Sequence, residues 1–93
     1  MEMRKLMDIT RKFSNDRRRL NRKLKKAGIE FEWHTLYDGY QWTFPTLPGD
    51  IAIHSGTYSA RWGYFESYCM PWDNGDVTIL TAEEAIKHLT EGK

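Results

Sequence analysis

Polar and apolar positions change their period twice along the chain, and the changes divide it into helix, sheet and helix. In residues 3–27, Met3, Leu6, Phe13, Leu20 and Leu24 fall on alternating three- and four-residue steps, with Thr10 and Arg17 filling the two gaps. That spacing draws one narrow apolar stripe and predicts a single helix over 3–27. Gly28 stands just past Lys25 and Lys26 as a C-terminal stop, with both cations favourably placed against the helix dipole. A competing reading breaks the segment at Ser14, which would cap a second helix starting at Asn15.

The period then becomes twofold. Ile29, Phe31 and Trp33 alternate with Glu30, Glu32 and His34, the pattern of a half-buried strand. Tyr37-Asp38-Gly39 supplies the turn, since Asp-Gly tolerates positive φ. Tyr40, Trp42 and Phe44 alternate with Gln41 and Thr43 on the return. After the loop signals Pro45 and Pro48-Gly49-Asp50, a third strand is expected at Ile51–Ser55 and a turn at Gly56–Arg61. A long fourth strand is expected at Trp62–Met70, then a turn cluster at Pro71–Asp76 and a short edge strand at Val77–Leu80. Thr81-Ala82-Glu83-Glu84 has capping-box spacing, and Ala85, Ile86 and Leu89 continue it as a short amphipathic helix over 81–91. The order predicts one α+β domain over 1–93. It has a long N-terminal helix, an antiparallel meander of three to five strands over 29–80 and a short C-terminal helix, with the helices packed on one sheet face.

Composition supports a folded core. Four Trp, five Tyr and four Phe among 93 residues supply large side chains to bury. The one cysteine, Cys69, excludes an internal disulfide and fits a reducing compartment. No apolar run approaches the roughly 20 residues of a membrane span, and charges interrupt the N-terminal segment where a signal peptide would be apolar. A cytoplasmic protein is therefore expected.

Charge changes the picture more. The net charge of +1 conceals a division: eleven of the fourteen Lys and Arg residues lie in the first 26 positions. Set against Glu2, Asp8 and Asp16 they give that segment +8, whereas residues 27–93 carry three cations and ten carboxylates, or −7. On one continuous helix, Arg4, Arg11, Arg18 and Lys25 recur every seven residues, and Lys5, Lys12, Arg19 and Lys26 do so one step on. Both rows, with Arg22, lie opposite the apolar stripe. They would form an outward ridge about 36 Å long at roughly 1.5 Å per residue. A duplex carries a phosphate charge about every 1.7 Å, so such a ridge can meet several phosphates with little sequence preference. A merely solvated face is the alternative, although mixed charge serves solubility better. Helix-turn-helix and zinc-finger spacings are absent.

The acidic remainder offers a different surface. If Ile29, Phe31 and Trp33 face the core, Glu30, Glu32 and His34 share the opposite sheet face with Gln41 and Thr43. That face could bind a basic partner or the basic end of a second copy, so either a monomer or weak self-association is expected. Tyr58, Trp62, Tyr64 and Trp72 sit in or beside loops and are expected to be exposed. Glu30, Glu32, Tyr58, Trp62 and Trp72 are thus the candidate protein-binding residues. The strand aromatics follow core parity, and the glycine-aromatic signature of RNA-binding sheets is missing.

Candidates for catalysis are few. His34, His54, Glu66 and Cys69 include the residue types of a Cys–His site, but no spacing links them. A cysteine on a strand is expected to be a small buried hydrophobe. The three histidines lack paired metal-ligand spacing, and glycine-rich phosphate loops are absent, so no metal or cofactor is implied. The expectation is a non-enzymatic accessory protein that contacts nucleic acid through its basic helix, the alternatives being a protein-interaction or inhibitor module and a soluble domain with no nucleic-acid role.

The segments Asp50-Ile51-Ala52-Ile53-His54-Ser55-Gly56, Glu66-Ser67-Tyr68-Cys69-Met70-Pro71-Trp72 and Leu80-Thr81-Ala82-Glu83-Glu84-Ala85 resemble small uncharacterised phage and prophage proteins. The likeness lies in a compact meander, a Pro-Trp-Asp turn and a Leu-Thr-Ala-Glu-Glu helix start. It covers the C-terminal half of the chain and implies a phage-encoded accessory role. It carries over no catalytic or binding residue, and the basic helix lies outside it.

Overall fold

Helix α1 (Ser14–Lys26) buries Leu20 and Leu24 completely, with Phe13 just before it, and these three residues hold it to the sheet. The computed structural model describes residues 12–57 and 59–91. Within them the order is α1, β1 (Glu32–Leu36), β2 (Gly39–Thr43), β3 (Asp50–Ile53), a 3-10 turn (Ala60–Trp62), β4 (Phe65–Tyr68), β5 (Val77–Leu80) and α2 (Ala82–Glu91). The five strands form one antiparallel meander in sequence order, so the fold is α+β as expected.

The long N-terminal helix is where expectation and structure part. α1 has 13 residues and is roughly 20 Å long at about 1.5 Å per residue. Lys12 and Phe13 form a turn, and the first helical bond runs from the Arg17 N–H to the Phe13 carbonyl at 3.0 Å. The start falls near the break considered at Ser14, but Phe13 occupies the cap position without a side-chain bond. Residues 1–11 lie outside the described residues, and the part of the ridge expected on them goes with them.

The end of α1 follows the expected glycine. Gly28 has φ 72°, its N–H bonds the Lys25 carbonyl, and the Ile29 N–H bonds the Leu24 carbonyl, which together make a Schellman motif. This explains why β1 begins at Glu32 rather than Ile29. The Ile29 N–H is committed to the helix end, so Ile29 and Phe31 pack against the core from outside the strand. The other end is capped as expected. Glu84 N–H bonds Thr81 Oγ1 at 3.0 Å and Thr81 N–H bonds Glu84 Oε1 at 2.8 Å, a reciprocal capping box for α2.

One sheet face is covered by both helices. Tyr40, Trp42, Ile51, Ile53, Phe65 and Leu80 meet Leu20 and Leu24 of α1 and Ala82, Ala85 and Leu89 of α2 in one core. Trp42 is fully buried, lies edge-on to Phe65 at 5.5 Å, and donates its indole N–H to Asn21 Oδ1 of α1 at 2.7 Å. Register places two rows on the opposite face: Glu32, Thr43, Asp50, Tyr68 and Val77, then His34, Gln41, Ala52, Glu66 and Ile79. Two glycines allow the close strand approach. A Cβ on Gly39 would overlap the Ile53 carbonyl oxygen, and one on Gly49 would overlap the Tyr68 carbonyl oxygen. Positive φ at the β1–β2 turn falls on Tyr37 (55°), not on the Asp-Gly pair.

The fourth strand is shorter than expected because both its ends turn away. Residues 60–62 close a 3-10 turn ending at Gly63 (φ 80°), and Cys69 takes φ 61° just past β4. Cys69 is therefore exposed rather than buried in a strand, and Met70 turns into the core instead. The Pro71-Trp72-Asp73 segment is pinned by a buried carboxylate. Asp73 accepts from Ser67 Oγ at 2.8 Å, from the Met70 N–H at 3.0 Å and from the Thr78 hydroxyl. Three donors replace the water that a buried carboxylate loses.

Candidate functional site

The cations of α1 divide by where the stripe puts them. Phe13, Arg17, Leu20 and Leu24 follow one another at four-, three- and four-residue steps, so Arg17 shares the inward face. Its guanidinium lies 4.6 Å from the Trp33 ring and 5.2 Å from the Tyr40 ring, closing the core where β1 forms the sheet edge. Trp33 has core parity but stays 41% exposed on the edge strand β1, with the Arg17 guanidinium over its ring. Arg19 sits on a flank. It bonds the Gly63 carbonyl at 3.1 Å, pairs with Asp16 at 3.3 Å and lies 5.8 Å from the Phe65 ring. Burial raises the Asp16 carboxyl above its usual range, and Arg19 pulls the other way. Lys23 pairs with Glu83 of α2 at 3.2 Å.

The outward face is different. Arg18, Arg22, Lys25 and Lys26 are exposed, and none has a carboxylate partner among the described residues. Arg18 reaches only the Asn15 side-chain oxygen, at 3.3 Å. Arg18 and Arg22 are four residues apart, as are Arg22 and Lys26, so like charges adjoin along the ridge. Of the nine expected ridge cations, these four face outward on α1, Arg19 serves the fold, and Lys12 sits before the helix. Arg4, Lys5 and Arg11 lie outside the described residues.

Lys12 belongs to a separate cluster. Its ammonium donates to Ser55 Oγ at 2.8 Å and lies 3.8 Å from Asp38. Asp38 accepts from the Ser55 N–H at 2.9 Å and from the Ser55 hydroxyl, so the hairpin turn and the 54–57 loop are tied together. Ser55's hydroxyl and N–H, with Lys12 adding to them, hold the Asp38 carboxyl below the usual carboxylate range. Beside this cluster lies a cleft of about 440 Å³ lined by Lys12, Ser55, Thr57 and Arg61. Arg61 is the cation that sequence reasoning missed. It is the one Lys or Arg between Lys26 and Lys87, and the 3-10 turn brings it to the side of Lys12.

The candidate protein-binding residues do not converge. Glu30 is exposed before β1, and Glu32 lies on the open sheet face. Trp62, 58% exposed, sits on the 3-10 turn, whose following residue Gly63 is held by Arg19 of α1. Trp72 is half-buried rather than exposed. It stacks on His88 at 4.9 Å and donates its indole N–H to Ser67 Oγ at 2.9 Å. Tyr58 lies outside the described residues. An apolar patch that the sequence reading passed over, Tyr68, Val77 and Ile79, is exposed together on β4 and β5 of the open face.

The residue types of a catalytic site stay apart. His34 and Glu66 share an open-face row with Gln41 and Ala52 between them, His54 accepts the Gly56 N–H at 3.0 Å, and Cys69 lies past the end of β4. Among the described residues no group of three or more His, Cys, Asp or Glu side chains is placed to hold a metal ion. No helix among them is long and apolar enough to cross a membrane. No protein-family model matches the chain, and neither a curated protein nor a solved structure matches it.

Proposed function

We propose that this chain is a small non-enzymatic accessory module that contacts nucleic acid through phosphates, using the outward face of α1. One observation carries this reading. Arg18, Arg22, Lys25 and Lys26 form an exposed row without carboxylate partners among the described residues, while Glu32, the exposed carboxylate of the described strands, lies on the sheet face away from the helices. Repulsion along that row is relieved when phosphates replace the solvent counterions. Contacts of this kind give affinity without base readout.

The test is anisotropy titration of labelled generic duplex and single strand with the full chain, at low and moderate salt. Four phosphate contacts predict that log affinity for duplex falls with log salt at a slope of about −3.6. Reversing Arg18, Arg22, Lys25 and Lys26 to Glu abolishes the binding. Absence of binding at low salt, or indifference to the reversal, overturns the reading.

A second reading, a protein-docking module, is favoured by the exposed Tyr68, Val77 and Ile79 beside Glu66 on the open sheet face. It predicts a partner that survives nuclease treatment and is lost on Tyr68→Ser with Ile79→Ser.

A further inference from the structure

The cleft beside Lys12 is built from parts of the chain that only folding brings together. Lys12 and Phe13 come from the turn before α1, Ser55, Gly56 and Thr57 from the loop after β3, and Ala60 and Arg61 from the 3-10 turn. The wall carrying Arg61 is fastened to α1, since Arg19 bonds the Gly63 carbonyl at 3.1 Å and Gly63 N–H closes the turn on the Ala60 carbonyl at 2.9 Å. Two cations and two hydroxyls therefore line one opening on a fixed frame. Asp38 is the carboxylate beside it, and it is already engaged by Ser55 and Lys12. Lys12 thus enters partly neutralised, and Arg61 brings the less encumbered charge.

Aromatic surface adjoins that charge. The Arg61 guanidinium lies 4.4 Å from the Trp62 ring, which is 58% exposed, and Tyr64, two residues on, is 43% exposed. A guanidinium that lines a cationic cleft and lies on an exposed indole suits a ligand with both a phosphate and a flat ring. Unstacked bases offer such faces, whereas a duplex keeps its bases stacked and presents only phosphates.

Building on the nucleic-acid reading above, we infer that the cleft and Trp62 form a binding site for single-stranded nucleic acid. One phosphate sits between Lys12 and Arg61, and the adjoining base stacks on the Trp62 and Arg61 planes. The ridge on α1 then supplies sequence-independent attraction, and the cleft distinguishes single strands from duplex.

The experiment titrates the full chain with labelled oligothymidylate, oligouridylate and a duplex, each about 15 nucleotides long, near the upper end of what one single-strand-binding domain covers. Single strand binds about tenfold tighter than duplex, and Trp62→Ala or Arg61→Ala each removes about that factor while leaving duplex affinity unchanged. Trp62→Phe keeps most of the preference, because a ring face remains. Tighter thymidylate or uridylate binding shows whether DNA or RNA is the occupant. Equal affinity for single strand and duplex, or a preference that survives Trp62→Ala, overturns the cleft assignment and leaves the ridge reading standing. Loss of all binding in the wild type overturns both.

Discussion

Arg17 and Arg18 are sequence neighbours on one helix, yet they belong to different surfaces. Arg17 lies against Trp33 and Tyr40 and closes the edge of the core, while Arg18 points outward and, among the described residues, bonds the Asn15 side chain. Arg19 and Arg22 repeat the contrast, one tied to Gly63 and Asp16, the other exposed with no carboxylate beside it among the described residues. A run of basic residues is therefore not one feature. Helical geometry assigns each cation to the core edge, to a flank or to solvent, and only the last group is free to meet a ligand.

The contrast is testable through stability and binding measured together. Arg17→Ala should have the largest effect on folding, about 1–2 kcal/mol in chemical denaturation, because it uncovers two aromatic rings. Nucleic-acid affinity should barely move. A variant that folds with unchanged stability would show that the cation over Trp33 is incidental. Arg19→Ala should cost about 1 kcal/mol through its bonds to Gly63 and Asp16, and should weaken single-strand binding more than duplex binding, since the turn carrying Arg61 loses its anchor. Equal loss for both ligands would break the link between that anchor and the cleft.

Acid should loosen the same region. The folded Asp38 carboxyl titrates below its unfolded value, so its contribution is present above the ordinary carboxylate range and is lost as pH falls through the folded value. Amide exchange at Ser55 should accelerate on acidification relative to the strand amides, once the intrinsic pH dependence is removed. An Asp38→Asn chain should lose that pH response. The smallest effect is expected on the outward face. Arg22→Glu should raise stability by a few tenths of a kcal/mol, since it replaces two i,i+4 repulsions with attractions to Arg18 and Lys26. A measurable destabilisation would mean that Arg22 has a partner in the fold.

Much of the scaffold was legible because its signals are local. The Gly28 stop, the capping box of Thr81 and Glu84, the β1–β2 hairpin and the exact span of β5 each depend on residues a few positions apart. The stripe even allotted Arg17 an inward place. Two features escaped because they join distant positions, Asn21 with Trp42 and Arg61 with the cleft of Lys12, and a third, Asp73 with Ser67 and Thr78, because it follows no helical or strand period although its members lie five and six positions apart. Nothing in the spacing of these residues announces their meeting. The start of α1 was misjudged for another reason. The apolar stripe continues past Ser14 in sequence, and periodicity alone does not reveal a turn at Lys12 and Phe13.

Gly39 and Gly49 place a different kind of limit on the molecule. Any side chain at either position would collide with the backbone of the adjoining strand, which no rotamer change relieves. The outward cations can drift or be exchanged without disturbing the fold, and so can most open-face residues. A descendant of this chain that keeps the meander keeps both glycines, ten positions apart, long after the residues that meet its ligand have been rewritten.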